Sequence, residues 1–141
     1  MKGMCLINKK IRVILDTNLW ISILITKNSI LDDVLSIKNV QIIVSQNLLN
    51  ELHDVTIRPK FRKYFSIDRV EELLKKIRKY TKMIRVRTIV TQCRDSKDNF
   101  LLELAIDGKA HFLLTGDSDL LDIERIGRTS IIKVQEFLQQ N

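Results

Sequence analysis

The most constraining feature of this sequence is an apolar run that ends at a carboxylate. Residues 11–15 read Ile-Arg-Val-Ile-Leu, and Asp16 follows them directly. Apart from Arg12, the run lacks polar alternation, which is typical of a parallel strand covered on both faces. Because ligands of open α/β sheets bind beyond the carboxyl ends of the strands, Asp16 is predicted to lie where chemistry is done. The alternative is a carboxylate that only turns or caps the chain. Asn18 is expected to cap the helix that begins at Leu19.

Length and charge narrow the class of protein. With 141 residues and 45% hydrophobic content, the chain is expected to fold as one domain over residues 1–141. Its 24 Lys and Arg against 17 Asp and Glu give a net charge of +7, which favours a polyanionic partner such as nucleic acid. Cys5 and Cys93 stand far apart, so neither a disulfide framework nor a zinc site is indicated. No apolar run is long enough for a signal peptide or a membrane span, and we therefore expect a cytoplasmic protein without a membrane partner.

The order of the predicted elements indicates an α/β domain. After the first strand, further strands are expected at residues 40–44, 83–90, 111–114 and 129–133. The strand at 83–90 carries alternating arginines and is expected at a sheet edge. Helical spacing predicts helices at residues 19–25, 30–37, 46–57, 100–107, 120–123 and 134–140. Ser45 and Gly108 are expected to cap two of these helices, and Asp68 with Glu71 is expected to open one more as a capping box.

Four acidic positions are expected to converge on one site. Asp16 ends the first strand, Glu51 lies on the helix after the second strand, and Asp98 lies in the first turn of a helix. Asp117 follows the fourth strand, and Asp119 stands two residues further on. Carboxylates are hard oxygen ligands, and no His or Cys accompanies them at ligand spacing, so Mg²⁺ or Mn²⁺ is predicted rather than zinc. A cation held in this way can polarise a phosphodiester and activate a water, with one metal or two left open.

Basic residues are densest in two stretches that are predicted to contact the phosphates of a nucleic acid. They are Arg58, Lys60, Arg62 and Lys63 in the first, and Lys75, Lys76, Arg78, Lys79 and Lys82 in the second. Phe61, Tyr64 and Phe65 interleave the first stretch, where they either stack on bases or belong to the core. A solvated helix face is the alternative for both stretches.

Four sequence segments together resemble the PIN domain family, and more narrowly its VapC-like toxin components of toxin-antitoxin pairs. The segments are LDTN at 15–18, LLNELHDV and RPKF within 48–61, CRDSKDNFLLELA at 93–105, and LLTGDSDLL at 113–121. This resemblance implies a three-layer α/β/α fold with a parallel sheet in the order 3-2-1-4-5. The strand order then reverses between strands one and four, where Asp16 and Asp117 would meet.

The resemblance also implies roles for individual residues. Asp16, Glu51, Asp98 and Asp117 match the acidic positions of the family, and Asp119 stands as a substitute or helper for the last. Further residues are expected to support these acids: Thr17, Asn18 and Thr115 by hydrogen bonds, and Asp95 as a cap or supporting group. The implied activity is metal-dependent cleavage of RNA, and the implied partners are an antitoxin protein and a second copy of the chain.

Two other readings are open at this point. A HAD-like phosphatase also begins with an aspartate after its first strand, and Gly116-Asp117 with Asp122 imitates its later acids. Its general acid, however, stands two residues after the nucleophile, where this chain has Asn18. The second reading is a non-catalytic PIN-like module that binds RNA or regulates a partner.

Overall fold

The computed structural model describes residues 10–26, 33–34, 36–37, 39–90 and 98–140. The strands are β1 (Ile11–Leu15), β2 (Val40–Val44), β3 (Lys82–Met83), β4 (Phe112–Leu114), β5 (Arg125–Ile126) and β6 (Thr129–Ile132). The helices are α1 (Thr17–Thr26), α2 (Gln46–Thr56), α3 (Ile67–Tyr80), α4 (Asn99–Asp107), α5 (Ser118–Leu121) and α6 (Val134–Gln140). Both cysteines, and half of the helix expected at 30–37, lie outside the described residues.

The strands form one sheet in the order β3-β2-β1-β4-β6-β5. All neighbouring pairs are parallel except β5 with β6, which is antiparallel. The expected α/β class, with helices packed on a mostly parallel sheet, is therefore confirmed. The expected order 3-2-1-4-5 holds for the first five positions, since the fifth predicted strand is β6. Strand β5 was not predicted. It has two residues and pairs with β6 at that edge of the sheet.

The strands at the centre of the sheet carry the core. Val13, Ile14 and Leu15 of β1 are all fully buried, which requires cover on both faces of that strand. Leu113 and Leu114 of β4 are equally buried beside them. No described helix is long and apolar enough to cross a membrane.

The strand expected over residues 83–90 is wrong beyond Met83. The Ile84 N–H still donates to the Val44 carbonyl oxygen of β2 at 2.8 Å, but the amides that follow bond to side chains of helix α4 instead of a strand. Asp107 accepts hydrogen bonds from the backbone nitrogens of Arg87 and Thr88 and from the Thr88 hydroxyl. Glu103, one turn earlier on α4, accepts the backbone N–H of Val90 at 3.0 Å. The segment is thus held to the side of a helix by two carboxylates.

Of two helix N-caps predicted from the sequence, one is confirmed and one is wrong. Ser45 caps α2 as expected, since its hydroxyl accepts the Leu48 N–H at 3.1 Å. The capping box at Asp68 is wrong, because α3 begins at Ile67 and the hydroxyl of Ser66 accepts the Arg69 N–H at 3.3 Å.

Gly108 ends α4 as expected, but not through a left-handed backbone, since its φ is −83°. A Cβ at this position would lie 2.5 Å from Ile43 Cδ1 and 2.8 Å from the Leu104 carbonyl oxygen. The glycine is therefore favoured by two close contacts, one with the tip of the Ile43 side chain on β2 and one with the backbone of α4 itself.

Helices α2 and α3 form an antiparallel pair. Arg78, near the end of α3, donates to the Gln46 side chain at the start of α2. Further along the pair, His53 Nε2 of α2 lies 3.8 Å from Glu71 Oε1 of α3. Gln46 follows β2 closely, so this end of the pair lies at the carboxyl edge of the sheet, where β1, β2, β3 and β4 end. The connection at residues 57–66 lies at the other end of the pair.

Candidate active site

Asp16 lies between strand β1 and helix α1 and is held by hydrogen bonds on both carboxylate oxygens. Its Oδ1 accepts the backbone N–H of Leu19 at 2.7 Å, and its Oδ2 accepts the Thr115 hydroxyl. Helix α1 begins at Thr17, so Asp16 is its N-cap and the expected cap at Asn18 is wrong. The capping role and a role in chemistry do not exclude each other, since each carboxylate oxygen has two acceptor positions.

Thr115 joins the ends of β1 and β4. It is 2% exposed, its hydroxyl donates to Asp16, and the same oxygen accepts the backbone N–H of Asp117 at 3.0 Å. The supporting hydrogen bonds expected of Thr115 are therefore present in the structure. Asp117 is in turn the N-cap of α5, where its Oδ1 accepts the Asp119 N–H at 3.0 Å. Both carboxylates are thus held in place before anything binds to them.

The charge at Asp16 is unfavourable in the absence of a cation. Burial raises the pKa of the Asp16 carboxyl above its ordinary value, and the negative charge of Asp117 raises it further. Hydrogen bonds from Thr115, Leu19 and Gly116 lower this pKa in part. A positive ion beside the two acids would reduce this electrostatic penalty.

An open cavity of about 640 Å³ exposes these two acids at the carboxyl edge of the sheet. Its lining combines residues that follow β1 and β4 with the first turns of α1 and α5: Asp16, Asn18, Leu19, Ser22, Gly116, Asp117 and Ser118. The cavity lies at the switch point of the sheet, because the chain continues from β1 to β2 on one side of β1, whereas β4 lies on its other side. Ligand sites in such sheets usually lie at this position.

The other predicted acids do not line this cavity. Glu51 is half-buried on α2, and its carboxylate makes no hydrogen bond or ion pair with any described residue. Asp98 stands at the start of α4 without capping it through its side chain. Asp119 is half-buried on α5, and Asp95 lies outside the described residues. Within residues 10–26, 33–34, 36–37, 39–90 and 98–140, no three His, Cys, Asp or Glu side chains form a group that could hold a metal ion.

The structure adds Ser22 to the residues of the cavity. This serine is exposed on α1, one helical turn after Asn18, so the two side chains share a face of the helix. The helical spacing of Asn18 and Ser22 behind Asp16 is a signal that the sequence analysis did not use.

The residues predicted to contact RNA are all exposed, but they occupy two different places. Arg78 and Lys79 lie in the last turn of α3, near the carboxyl edge. The stretch 58–63 lies in the connection at the far end of the α2/α3 pair. Among the aromatics, Phe65 belongs to the core at 3% exposure, whereas Tyr64 is 42% exposed.

Comparisons with known proteins identify the family. A model of the PIN domain matches residues 12–119, which include Asp16, Glu51, Asp98 and Asp117. The uncharacterized protein MJ1680 of Methanocaldococcus jannaschii is 34% identical over 118 residues, which cover 81% of this chain and 76% of that protein. The solved structure of the PIN domain of human SMG5 is 14% identical, covers 92% of this chain and 97% of that chain, and has a TM-score of 0.48. The family match decides against the HAD-like reading. The chain belongs to the PIN domain family, a family of metal-dependent nucleases.

Proposed function

We propose that this protein is a ribonuclease that uses Mg²⁺ or Mn²⁺ at the carboxyl edge of its sheet. The observation that carries the proposal is the pair Asp16 and Asp117, which comes from adjacent parallel strands and faces one open cavity. Burial raises the pKa of Asp16, and the negative charge of Asp117 raises it further. Two carboxylates at such a position suit Mg²⁺, which keeps several waters and is often bound by one or two carboxylates together with substrate phosphates.

The chemistry of the donors fits this group of metals. The residues that line the cavity offer carboxylate, hydroxyl and amide oxygens, with no imidazole or thiol among them. Glu51 is a half-buried carboxylate with no partner among the described residues, and we propose it as a further ligand, directly or through water. Asp98 is proposed beside it. When bound, the metal would polarise the phosphodiester of the substrate and activate a water.

The chain's own contribution is preorganisation. The Leu19 amide and the Thr115 hydroxyl fix the Asp16 carboxylate, and Thr115 sets the position of the Asp117 backbone. Groups that are already oriented toward the reacting phosphate lose no free energy to reorganisation during the reaction. We therefore propose Thr115 as a positioning residue, and Asn18 and Ser22 as polar contacts to the substrate.

The position of the basic residues supports a path for RNA along the carboxyl edge. A second cavity, of about 360 Å³, lies at the ends of β2 and β3, where its lining includes Gln46, Asn47 and Arg85. The last turn of α3, with Arg78 and Lys79, lies beside it, because Arg78 donates to Gln46. A strand of RNA that passes from Asp16 toward α3 would meet amides that can bond to bases and cations that can bond to phosphates.

The stretch 58–63 is less well placed for this path. Helix α2 has 11 residues, and a rise of 1.5 Å per residue puts its far end about 16 Å from the carboxyl edge. Lys60 and Lys63 each lie 5.1 Å from the ring centre of the aromatic residue that follows, and Lys79 of α3 makes the same contact at 5.6 Å, so it is the distance from the carboxyl edge that separates the two stretches. We propose that Lys75, Lys76 and Lys79 contribute more to RNA affinity than Arg58, Lys60 and Arg62.

Two matched triple variants separate these stretches. Each replaces three cations by Gln in an Asp16→Asn protein, one at Lys75, Lys76 and Lys79 and the other at Arg58, Lys60 and Arg62. RNA affinity is then measured across a salt series. Loss of three phosphate contacts should reduce the salt slope by about 2 for the α3 variant, with a smaller change for the other. An equal effect of both variants would contradict the proposed path.

The biological role proposed here is the toxin of a toxin-antitoxin pair, acting on cytoplasmic RNA and silenced by an antitoxin protein. It rests on the resemblance to VapC-like proteins, and a homodimer is part of the same proposal. Expression of the chain alone should arrest growth, whereas expression of the Asp16→Asn variant should not. Growth arrest by both proteins would argue against a toxin that acts by cleavage.

A non-catalytic PIN-like module is the second candidate. It is favoured by one observation, namely that the described residues do not gather three or more potential metal ligands. This candidate predicts RNA binding without turnover at any concentration of Mg²⁺ or Mn²⁺.

The decisive assay is cleavage of structured and unstructured RNA in Mg²⁺, Mn²⁺ or excess EDTA. We expect cleavage with either metal, none in EDTA, and none from Asp16→Asn. The matched control is Asp107→Asn, which removes one carboxylate from α4 away from the cavity and should keep its activity. Full cleavage in EDTA, or by the Asp16→Asn variant, would sink the proposal.

A further inference from the structure

A cluster of basic side chains lies at the opposite, amino edge of the sheet. Lys10, Arg12, His111 and Arg128 line a cavity of about 330 Å³ there. No acidic side chain is among the described residues that line it. The proposed nuclease site uses none of these residues, and the predicted RNA contacts do not include them.

The register of the sheet brings these residues together. Val13 of β1 lies opposite Phe112 of β4, and Phe112 lies opposite Ser130 of β6. The residues just before these positions therefore meet at one edge, with Arg12 beside His111 and Arg128 close to the start of β6. A backbone bond of 2.9 Å from the His111 N–H to the Arg12 carbonyl oxygen fixes this arrangement. The cluster is thus built into the sheet.

Hydrogen bonds orient two of the side chains while leaving donors free. Arg12 Nε donates to the carbonyl oxygens of Gly108 and Lys109, at 2.9 Å each, whereas its two terminal nitrogens have no partner among the described residues. His111 Nδ1 accepts the Arg12 N–H at 2.9 Å, so the proton of the neutral ring is on Nε2, which is a donor.

The electrostatics of the cluster are strained in the direction that an anion would relieve. Burial lowers the pKa of His111, and the positive charges of Arg12 and Arg128 lower it further. Lys10 and Arg128 are exposed, and no described carboxylate forms an ion pair with either of them. Three cations and one neutral imidazole donor therefore share a concave site without a counterion.

We propose that this cluster is a binding site for a phosphate group, either of a small phosphate compound or of the end of an RNA chain. A phosphomonoester carries a charge between about −1.5 and −2 at neutral pH and offers three acceptor oxygens. The free terminal nitrogens of Arg12 suit paired hydrogen bonds to such oxygens. A group with several oxygens fits converging donors better than the singly charged phosphate inside an RNA chain. The proposal does not depend on nuclease activity.

The first test measures binding of inorganic phosphate by calorimetry in EDTA, so that no divalent metal can bind phosphate at the other edge. The test variant is Lys10→Gln with Arg128→Gln, two exposed residues whose side chains make no described hydrogen bond. The control variant, Lys109→Gln with Lys133→Gln, removes the same charge from exposed residues outside the cavity. Thermal unfolding checks that both proteins are folded, and Arg128→Gln alone provides a milder variant.

We expect saturable binding to the wild-type protein. Loss of charge-assisted hydrogen bonds should weaken it by about tenfold or more in the test variant, and by less than about twofold in the control. Equal weakening in both variants would overturn the proposal, as would absence of saturable binding to the wild-type protein together with no preference for a terminal phosphate in the second test.

The second test identifies the source of the phosphate. One short RNA is prepared with a terminal phosphate or a terminal hydroxyl, and both forms are bound to the wild-type protein and to the test variant in EDTA. A preference for the phosphorylated form that disappears in the test variant assigns the site to RNA ends. Binding of inorganic phosphate without such a preference assigns it to small phosphate compounds. If the wild-type protein does not bind inorganic phosphate and shows no preference between the two RNAs, the cluster is not a phosphate site.

Discussion

Replacing Thr115 with Val removes the hydroxyl that joins the two carboxylates while keeping the shape of the side chain. The change deletes the hydrogen bond to the charged Asp16 and leaves the partly buried Asp117 N–H without its acceptor. Together these losses should cost about 3 kcal/mol of unfolding free energy, because a hydrogen bond to a charged group contributes about 1.5–3 kcal/mol and an unsatisfied buried donor costs about 1–3 kcal/mol. Asp16 keeps the Leu19 N–H, which limits the loss.

The loss should also depend on pH. Without the hydroxyl, the pKa of Asp16 rises further above its already raised value, because a hydrogen bond that lowers it is gone. The native variant then binds a proton at higher pH than the unfolded chain, so its stability falls as pH rises through that interval. The difference between the variant and the wild-type protein should therefore be largest at neutral pH and smaller in acid.

Thermal and urea unfolding in EDTA measure this effect, with Thr115→Ser as the matched control that keeps the hydroxyl. A loss of about 3 kcal/mol corresponds to a fall in Tm of roughly 10 °C for a domain of this size. The Ser variant should lose about 1 kcal/mol or less, since it gives up one methyl group. Equal stability of the Val and Ser variants, or a Val variant as stable as wild type, would refute the role of the hydroxyl.

Three further predictions concern stability. Asp16→Asn should preserve or raise Tm in EDTA at neutral pH, because Asn also caps helices and the variant no longer buries the charge of Asp16. A large fall in Tm would mean that this acid stabilises the fold. Asp107→Asn should lower the unfolding free energy by about 1 kcal/mol at neutral pH. Hydrogen bonds from Thr88 and the charge of Arg87 keep the pKa of Asp107 low. The stabilisation by Asp107 is therefore present above the ordinary Asp pKa and lost as pH falls through the lowered pKa. Urea unfolding at neutral and acid pH should show that the wild-type and variant proteins converge in stability in acid. Gly108→Ala should lower the unfolding free energy by about 1–3 kcal/mol in the same assay, since the added Cβ would lie 2.5 Å from Ile43 Cδ1, although the φ of Gly108 suits alanine. An unchanged stability would show that α4 and β2 can move apart.

The parts of the fold that the sequence predicts well are those with a buried apolar run and a clear stop. Residues 11–15 and 40–44 match β1 and β2 to the residue, because both faces of these strands are buried and a polar residue follows each. The strand expected at residues 83–90 is correct only at Met83, which belongs to β3, and wrong beyond it. Their alternation resembles an edge strand, but the hydrogen bonds go to Asp107 and Glu103, and a partner 13 to 20 positions away is not readable from local spacing.

The candidate site follows the same division. The switch point between β1 and β4 is a consequence of the parallel order, so a contact between the Asp16 and Asp117 regions is predictable once the fold is known. Helical positions are harder, because the side chain of Glu51 reaches a site only if α2 has the right rotation and tilt. Sequence spacing does not contain those angles. The assignment of Glu51 and Asp98 as ligands therefore stays a prediction.

Binding of Mn²⁺ measured by calorimetry tests the central claim most directly, since it does not require the RNA target. The wild-type protein, Asp16→Asn, Asp117→Asn and the control Asp107→Asn are titrated under the same conditions. We predict saturable binding to the wild-type and control proteins, and its loss in both cavity variants. Equal binding by all four proteins would contradict a metal site at Asp16 and Asp117, as would the absence of binding to the wild-type protein.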